Sequence, residues 1–568
     1  MTKPLKIALV AHNARFTHTN PSVRSMLVNA NKQLSAAIDD GRLTFVACEL
    51  TINDPLDDRA AKLHDLDADI YLFSAYIWNI EETKAVAEII KKANPNRLIG
   101  CGGPEVSYTP ETDLIETPWF DFILCGEGEV QIVELGKAIL KHWIPLLSSS
   151  KIQISSFFAA ALASMTTAVR GMVCRDRYAE IRVDQSSALN LERPEIKFVY
   201  GPANEYVDLN QLPFLWDQSL GEEINSDEQI KNRMLYYESS RGCPFHCVYC
   251  LSSVEKGLRL RDLNKVFIEL KELVDRDAML VKFVDRSFNA VPSRAQAIWQ
   301  YLIDIYRPGQ KTRFHFEIEA DLMDQAALDL LTTAPSHLFQ FEIGVQTTNN
   351  KVLKTIKRQQ NNDHVASVVS ALRRTCDIHL HLDLIAGLPG EDMNSFKQSF
   401  NDVYAMKPDV IQLGFLKILK GTPMAQMATE RGYTWRTTPP YEVITSDGMS
   451  YADLQSLKRI EAVLDRFYNQ PWLDNVLEPV LAAYSDAFSF YEDLAAFGQK
   501  RDLLYRRVSA EEWYAELLRF AKEWVFKDNE NPQKAQAWHT YFKSCYQAQQ
   551  RRGRINWDVF VSRYGIEE

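Results

Sequence analysis

Three cysteines stand close together in the middle of the chain, in the run Arg-Gly-Cys243-Pro-Phe-His246-Cys247-Val-Tyr-Cys250. Thiolates are preferred protein ligands of zinc and of iron–sulfur clusters. The spacing leaves three interpretations open. The thiols could form a buried structural cluster, or they could bind zinc with His246 as a fourth ligand. They could also hold an iron–sulfur cluster with one iron left open, where a cofactor can bind through its amino and carboxylate groups.

The other six cysteines are scattered along the chain, which argues against a disulfide framework. Near the N-terminus only residues 7–11 form an apolar run, too short for the core of a signal peptide. The most apolar stretch, 157–163, is far shorter than the ~20 residues that span a bilayer. We therefore expect a cytoplasmic protein without a membrane segment.

The 568 residues are 46% apolar and 24% charged, which is ordinary globular usage. The formal net charge of −11 argues against nonspecific binding to nucleic acid. At ~150 residues per domain, this length predicts two to four domains. We expect a first domain over 1–140, a linker and irregular connection over 141–233, a second domain over 234–430 and a helical domain over 431–568.

Short apolar runs alternate with helical stretches from residue 6 to about 140. This alternation predicts a parallel sheet covered on both faces, in a Rossmann-like domain whose ligand lies at the carboxyl ends of the strands. The candidate binding residues at those ends are Asn13, Ser74, Tyr76, Gly102, Gly103, Glu105, Gly126 and Glu127. Two other interpretations stay open: the paired glycines could simply make tight turns, and Glu127 could complement a helix N-terminus.

Strict alternation of polar and apolar residues marks three later segments, 313–321, 338–346 and 378–384. Helical stretches separate them, so they predict a partial barrel with an apolar outer face and a polar lumen. Burying these polar side chains without water or a ligand would cost free energy, so a polar ligand is expected in the lumen. Candidates for ligand binding are Glu317, Glu342, Gln346 and Asp383, and candidates for proton handling or substrate binding are His379 and His381. A purely structural polar network is the alternative for each.

The C-terminal part is helical and aromatic. Ser509 and Glu512 form a capping-box pattern, and Trp513 and later aromatics follow at helical spacing. We interpret these aromatic side chains as a hydrophobic core rather than a ligand site.

The cysteine spacing, with Tyr249 before the last cysteine, resembles the signature of radical S-adenosylmethionine (radical SAM) enzymes. Residues 341–346, 383–391 and 420–423 are similar to later motifs of that family. Residues 102–107 and 126–129 resemble the cobalamin-binding domain of its cobalamin-dependent subgroup. Residues 439–443 resemble an uncharacterised domain that follows in one branch.

The resemblance implies an α/β fold: a Rossmann-like cobalamin-binding domain, a partial (β/α)6 TIM-type barrel and an α-helical C-terminal domain. It implies that Cys243, Cys247 and Cys250 hold a [4Fe-4S] cluster at which S-adenosylmethionine is reductively cleaved. The implied reaction is methylation of an unactivated carbon or phosphorus. Radical rearrangement or cyclisation, with cobalamin used only for electron transfer, is the alternative, and a first domain without cobalamin is another. The implied partners are a small-molecule or peptide substrate and an electron donor such as flavodoxin or ferredoxin.

Two features depart from the family pattern. The first domain lacks an Asp-x-His-x-x-Gly motif, and His12 and His18 do not fit that spacing, so the resemblance implies that the lower axial position of the cobalt is water or empty. The Gly-Gly-Glu-like motif is also absent, and Asp285-Arg-Ser-Phe-Asn289 occupies its place. Asp285 and Tyr249 are therefore further candidates for cofactor binding, while the group that holds the methionine amine stays open. Outside this family, a zinc-stabilised binding or sensor protein remains the alternative.

Overall fold

The computed structural model describes residues 3–143, 154–176, 196–254, 257–470, 476–504, 506–526, 532–548 and 556–566. Within these ranges the chain forms two large sheets followed by a helical region. None of the described helices has the length and hydropathy needed to cross a bilayer.

A seven-stranded sheet forms the first domain. Its strands are β1 (Leu5–Asn13), β2 (Leu43–Thr51), β3 (Ile70–Ser74), β4 (Leu98–Gly102), β5 (Phe122–Leu124), β6 (Met172–Arg175) and β7 (Phe198–Tyr200). The spatial order is β2-β1-β3-β4-β5-β6-β7, and the first five strands are parallel. Separate apolar clusters cover the two faces of the sheet, as the uninterrupted apolar runs predict.

Seven helices accompany this sheet: α1 (Pro21–Gln33), α2 (Ser35–Asp39), α3 (Leu56–Leu66), α4 (Ile80–Ala93), α5 (Pro110–Glu116), α6 (Gly128–Ala138) and α7 (Ile154–Thr166). Helix α1 begins as its sequence predicts, because the Asn20 side chain accepts a hydrogen bond from the Val23 amide and Pro21 occupies the first turn.

Strands β6 and β7 come from the segment 141–233 that was expected to be a linker. Both strands pair antiparallel and extend the first sheet beyond β5. That segment is therefore not a linker throughout. The domain bounds expected from the sequence leave these strands out, because they are short and pair with a strand far away in the sequence.

The remaining strands are β8 (Met234–Tyr237), β9 (Ser240–Gly242), β10 (Leu258–Leu260), β11 (Leu280–Phe283), β12 (Arg313–Ile318), β13 (Phe339–Gln346), β14 (His379–Ala386), β15 (Val410–Phe415), β16 (Thr434–Trp435) and β17 (Val443–Thr445). Six of them form one all-parallel sheet in the order β15-β14-β13-β12-β11-β8. This is the predicted partial barrel, with edges at β8 and β15.

The helices of this second region are α8 (Gln218–Asn225), α9 (Asp227–Ile230), α10 (Leu263–Asp275), α11 (Pro292–Asp304), α12 (Gln325–Leu331), α13 (Asn350–Thr355), α14 (Asn362–Thr375), α15 (Met393–Ala405) and α16 (Pro423–Glu430). The alternating pattern of the strands is confirmed: in β13 and β14 every second residue is buried. Phe316 and Phe341 pack with Trp299 of α11 on the helix-covered face. The opposite face carries the polar side chains.

The C-terminal helices are α17 (Tyr451–Phe467), α18 (Glu478–Leu481), α19 (Ala487–Lys500), α20 (Ala510–Phe520), α21 (Pro532–Ala548) and α22 (Trp557–Tyr564). Ser509 caps α20 through the Glu512 amide, and Trp513 is buried, so the predicted aromatic core is confirmed. Just after α17, the Asn469 amide exchanges two hydrogen bonds of 3.0 Å with the backbone of Ile411 in β15. The helical domain thus covers part of the edge of the barrel sheet.

Candidate active site

The cysteine loop follows the first barrel strand, at the carboxyl end of the sheet. Cys243 and Cys247 are buried, and burial raises the pKa of both thiols. Each of these two thiols interacts electrostatically with Cys250. The Val248 amide donates to the Ile356 carbonyl (3.1 Å), which anchors the loop to the segment after α13. The fold therefore places three thiols on one anchored loop at the mouth of the barrel.

Two side chains from other segments of the second domain reach the thiols. The Ser287 hydroxyl lies 3.6 Å from the sulfur of Cys243, and the Arg358 guanidinium lies 3.9 Å from the sulfur of Cys247. Arg358 also forms a bidentate ion pair of 2.7 and 2.9 Å with the buried Glu319. Hydrogen bonds to ligand sulfurs tune the potential of an iron–sulfur cluster, so these groups fit such a ligand set. Sequence reasoning missed Arg358, because it lies outside the alternating strands and belongs to no motif.

His246 is exposed although it lies between the buried Cys243 and Cys247. An exposed imidazole flanked by buried thiols is poorly placed to share one metal ion with them. Across the part of the chain that the structure describes, no three His, Cys, Asp or Glu side chains are grouped to hold a metal ion. A cluster of several irons differs from such a site, since each thiolate then binds its own iron.

A charged network occupies the lumen. The imidazole of His315 lies 3.0 Å from a carboxylate oxygen of Glu342, and the Lys282 ammonium lies 3.2 Å from the same oxygen. Burial alone would raise the pKa of Glu342, but these two neighbours lower it to about 2. Lys282 also lies 3.9 Å from Glu317. Glu342 and Glu317 therefore both interact with the ammonium group of Lys282. Lys282 was missed in the sequence, although it alternates with the apolar residues of β11.

Asp383 has a buried carboxylate oxygen that is available to a ligand. Its Oδ1 atom is buried and has no hydrogen-bond partner among the described residues. Burial raises the pKa of Asp383 well above its ordinary value, and the nearby Glu342 and Glu317 carboxylates raise it further. Buried polar atoms in native proteins nearly always have partners, so this oxygen fits a ligand donor such as an ammonium group.

The two candidate histidines lie at different levels of β14. His381 is in the lumen, where burial, His379 and His315 lower its pKa to about 4. His379 begins the strand, and its side chain is 41% exposed and lies 3.5 Å from Asp409. His379 precedes Asp383 by four positions on the same face of the strand, farther from the cysteine loop, and its role in proton handling or substrate binding stays a prediction. The alternating pattern identified the face of β14 on which His379 lies, but it did not indicate how far along the barrel His379 lies from the cysteine loop.

Asp285 is buried and fully engaged. It accepts hydrogen bonds from the Ser239 amide (2.9 Å) and from the hydroxyls of Ser239 and Ser240 (2.6 Å each). Burial raises its pKa to about 6 against the effect of these bonds. Asp285 therefore supports the segment that leads into the cysteine loop, and its placement argues against binding of a methionine amine. Tyr249 lies in the loop itself, and burial raises the pKa of its phenol.

Gln346 ends β13 at the same edge of the barrel, with a backbone φ of +67°. Its side-chain amide lies so close to Gly344 that a Cβ atom at that glycine would come within 2.3 Å of it. The Gly344 carbonyl also accepts a hydrogen bond from Arg358. Gln346 thus lies near the Arg358–Glu319 pair, and its role in ligand binding stays a prediction.

In the first domain, five candidates lie at one edge of the sheet, because β1, β3 and β4 are neighbours: Asn13, Ser74, Tyr76, Gly102 and Gly103. Tyr76 bonds the Ser22 hydroxyl (2.7 Å) and stacks on the half-exposed Trp78 at 4.4 Å. At Gly103, where φ is +109°, a Cβ atom would come within 2.4 Å of the Ala75 carbonyl oxygen. This glycine permits a close approach of two loops at the sheet edge.

The two acidic candidates of this domain bind protein groups. Glu105 accepts a hydrogen bond from Tyr441 and lies 3.3 Å from the Lys420 ammonium. Glu127 pairs with Arg259 and lies 3.4 Å from Arg241, and it makes no capping hydrogen bond to α6. Glu127 nevertheless stands at the N-cap of α6, as the helix-terminus interpretation expects, and the ligand role of both residues stays a prediction. Their partners lie more than 100 residues away, beyond the reach of any local pattern.

Gly126 fits the interpretation of a tight turn. Its φ is +93°, and a Cβ atom there would come within 2.7 Å of the Asn204 side chain. Three residues after Gly126, the buried Glu129 forms a 2.7 Å ion pair with Arg241. Arg241 stands two residues before Cys243, the first cysteine of the loop.

The first domain thus contacts both edges of the partial barrel. On the β8 side, His18 lies 2.7 Å from the Tyr236 hydroxyl, and the Met234 amide donates to Thr17. On the β15 side, Lys420 reaches Glu105. The His18 ring is therefore hydrogen-bonded to the Tyr236 hydroxyl. His12 is buried against Phe73, with Thr83 3.2 Å from its ring, so both histidines are engaged within the protein.

Comparison with protein families agrees with this architecture. Residues 29–136 match the B12 binding domain, and residues 237–403 match the Radical SAM superfamily. The chain contains a radical SAM domain and a B12 binding domain. Residues 429–555 match a protein family of unknown function, DUF4080.

Two curated relatives are similar to this chain. One is 2-(S-pantetheinyl)-carbapenam-3-carboxylate methyltransferase of Streptantibioticus cattleyicolor, 23% identical over 66% of this chain and 50% of the relative. The other is the cobalamin-dependent radical SAM methyltransferase TokK of Streptomyces tokunonensis, 24% identical over 66% and 50%. The chain therefore spans about half the length of these relatives.

Two solved structures share the fold. TsrM from Kitasatospora setae, a radical S-adenosylmethionine methyltransferase with tryptophan and a SAM analogue bound, has a TM-score of 0.59 at 16% identity, covering 88% of this chain and 99% of its own. OxsB, a cobalamin-dependent S-adenosylmethionine radical enzyme with aqua-cobalamin bound, has a TM-score of 0.60 at 14% identity, covering 99% and 83%.

Proposed function

We propose that this radical SAM protein binds a [4Fe-4S] cluster, S-adenosylmethionine and cobalamin, and that it methylates an unactivated carbon or phosphorus centre. The observation that carries the proposal is the placement of the three-cysteine loop at the mouth of a partial barrel, with a B12-binding domain in contact with both barrel edges. The methyltransferase names of the curated relatives support the reaction type.

Each part of the site has a role in this proposal. Cys243, Cys247 and Cys250 hold the cluster, and Ser287 and Arg358 stabilise charge on the sulfurs. The unpartnered oxygen of Asp383 accepts a hydrogen bond from the amino group of the bound S-adenosylmethionine. When bound, the cluster would supply the electron that cleaves S-adenosylmethionine and cobalamin would supply the methyl group.

The lumen network positions the substrate and controls protons. Lys282 and His315 hold Glu342 ionised, so Glu342 acts as a hydrogen-bond acceptor and not as an acid. Burial keeps His381 neutral near pH 7, so it can accept a proton. The first domain and the helical domain exclude water by covering the barrel edges.

The donor-bearing edge of the first domain supports the cobalamin part. Asn13, Ser74, Tyr76, Gly102 and Gly103 lie together there, and Trp78 offers an exposed aromatic face beside them. These residues fit a large planar ligand that needs apolar contact and hydrogen bonds. A small molecule or peptide is the expected substrate class, a flavodoxin or ferredoxin the expected electron donor, and the cytoplasm the expected location.

Product analysis after anaerobic reconstitution tests the proposal. The expected products are 5′-deoxyadenosine together with S-adenosylhomocysteine, from protein that retains cobalt and about four irons per chain. 5′-Deoxyadenosine alone would favour the alternative, rearrangement or cyclisation. The variant with all three cysteines changed to alanine is the matched control and should form neither product. Stoichiometric zinc in a colourless protein would contradict the proposal and favour a zinc-stabilised binding or sensor protein.

A further inference from the structure

Two groups from other parts of the chain, the buried Tyr441 and the partly buried Lys420, meet at the buried Glu105 of the first domain. The Tyr441 hydroxyl donates to its carboxylate. The Lys420 ammonium lies 3.3 Å from the same carboxylate, 3.2 Å from the backbone carbonyl of Glu105 and 3.2 Å from Asp113. Lys420 follows the last barrel strand, and Tyr441 lies in the segment that leads to the helical domain of unknown function.

Tyr441 is held rigidly by the barrel. Its carbonyl accepts from the Ile418 amide (2.9 Å), and the Val443 amide donates to Leu416 (2.9 Å), so this segment runs alongside the end of β15. Its φ of +57° is an uncommon conformation for a large side chain. Such conformations persist where the surroundings determine them, often at functional positions.

Glu105 in turn determines the position of the sheet edge. Its loop begins at Gly102, whose carbonyl accepts from the Ala75 amide (2.7 Å), beside Ser74 and Tyr76. The Ser107 hydroxyl donates to the Gly103 carbonyl and accepts from the Gly126 amide (3.2 Å). A restraint on Glu105 therefore reaches the ends of β3, β4 and β5, and the first two of these belong to the proposed cobalamin-binding edge.

Breaking the contact of Glu105 with Tyr441 and Lys420 would cost free energy, because the Glu105 carboxylate is buried. Burial raises the pKa of Glu105, and Tyr441 and Lys420 act against that rise. Losing either partner would leave a buried carboxylate poorly compensated. Gly421 also packs against the Tyr108 ring, so closely that a Cβ atom would come within 2.4 Å of it.

We propose that Tyr441 and Lys420 form a lock on the loop 102–107, which holds the first domain against the barrel mouth and thereby retains cobalamin. This assigns a positioning role to residues 439–443, at the start of the region of unknown function. The retention of cobalamin rests on the proposed function, whereas the locking of the loop does not.

Hydrogen–deuterium exchange and cobalamin release test the two parts separately. In the full-length protein, Tyr441→Phe should speed amide exchange within 102–107, and hydroxocobalamin should leave the variant roughly tenfold faster than the wild type. Tyr433→Phe is the matched control, because that hydroxyl binds Asp447 (3.0 Å) on the barrel side. Lys420→Met should act in the same direction as Tyr441→Phe.

Unchanged exchange within 102–107 in both Tyr441→Phe and Lys420→Met would overturn the lock. Faster exchange with an unchanged release rate would overturn the role in cobalamin retention. If the wild type binds no hydroxocobalamin, the proposed function fails, and the exchange experiment still decides whether the lock exists.

Discussion

Arg358 reaches the sulfur of Cys247 at 3.9 Å while its other terminal nitrogen is paired with Glu319. One guanidinium thus connects the cysteine loop to the carboxyl end of β12. Since a guanidinium is always charged, it supplies a permanent positive charge beside a thiolate ligand.

Replacing Arg358 by methionine should destabilise the protein strongly. The change leaves Glu319 buried and unpaired, which costs about 3–5 kcal/mol in comparable cases. The midpoint of thermal unfolding of the cluster-free protein measures the effect. Arg373→Met is the control, since its pair with Asp409 is 39% and 27% exposed and should contribute less than about 1 kcal/mol. Equal shifts in the two variants would contradict the structural role of the Arg358–Glu319 pair.

Glu391 should make stability depend on pH near neutrality. It is fully buried, and burial raises its pKa to about 7 from 4.5, against hydrogen bonds from Thr347 and Ser395. The folded state therefore binds this proton more tightly than the unfolded state. The free energy of unfolding that this tighter proton binding contributes is fully present below about pH 4.5, and it is lost as the pH rises through about 7.

Relative to Glu391→Gln, the wild type should lose roughly 3 kcal/mol of stability between those pH values. Unfolding midpoints of the cluster-free proteins, measured from pH 4.5 to 8, give the comparison. Glu430→Gln, at an exposed glutamate, should follow the wild type. Parallel curves for wild type and Glu391→Gln would show that Glu391 does not retain this proton.

His246→Ala should leave the bound metal unchanged. The side chain is exposed, so its removal should alter neither iron content nor the visible absorbance of the reconstituted protein. Cys247→Ala, one residue along the same loop, should lower both. Metal analysis and absorbance spectra measure the outcome. Loss of metal in His246→Ala would instead support a zinc site of three cysteines and one histidine.

Two residues of β14 should respond differently to substitution. Asp383→Asn should raise the KM for S-adenosylmethionine about tenfold or more, because an amide cannot replace a carboxylate that faces an ammonium group. His379→Gln should stay within about twofold of the wild type, since His379 lies at the far end of the strand. The rate of 5′-deoxyadenosine formation at varied S-adenosylmethionine measures both. A larger effect from His379→Gln would reverse the assignment.

The sequence by itself determined the parts of this protein that depend on local spacing. The cysteine triplet lies on one loop because three and two residues separate its members. Period-two alternation identified the lumen face of β12, β13 and β14, because side chains of a strand point alternately to its two sides. The Asn20 and Ser509 caps were also predictable, since a cap bonds amides only two or three residues away.

Only the tertiary structure decided which polar groups hold the domains together. Glu105 and Glu127 looked like binding residues at strand ends, yet their partners Tyr441 and Arg259 lie 336 and 132 residues away. Arg358, Lys282 and Lys420 likewise form ion pairs with residues that are distant in the sequence. Ion pairs and hydrogen bonds depend on distance in space and on burial, and neither quantity is written in the spacing of a single segment.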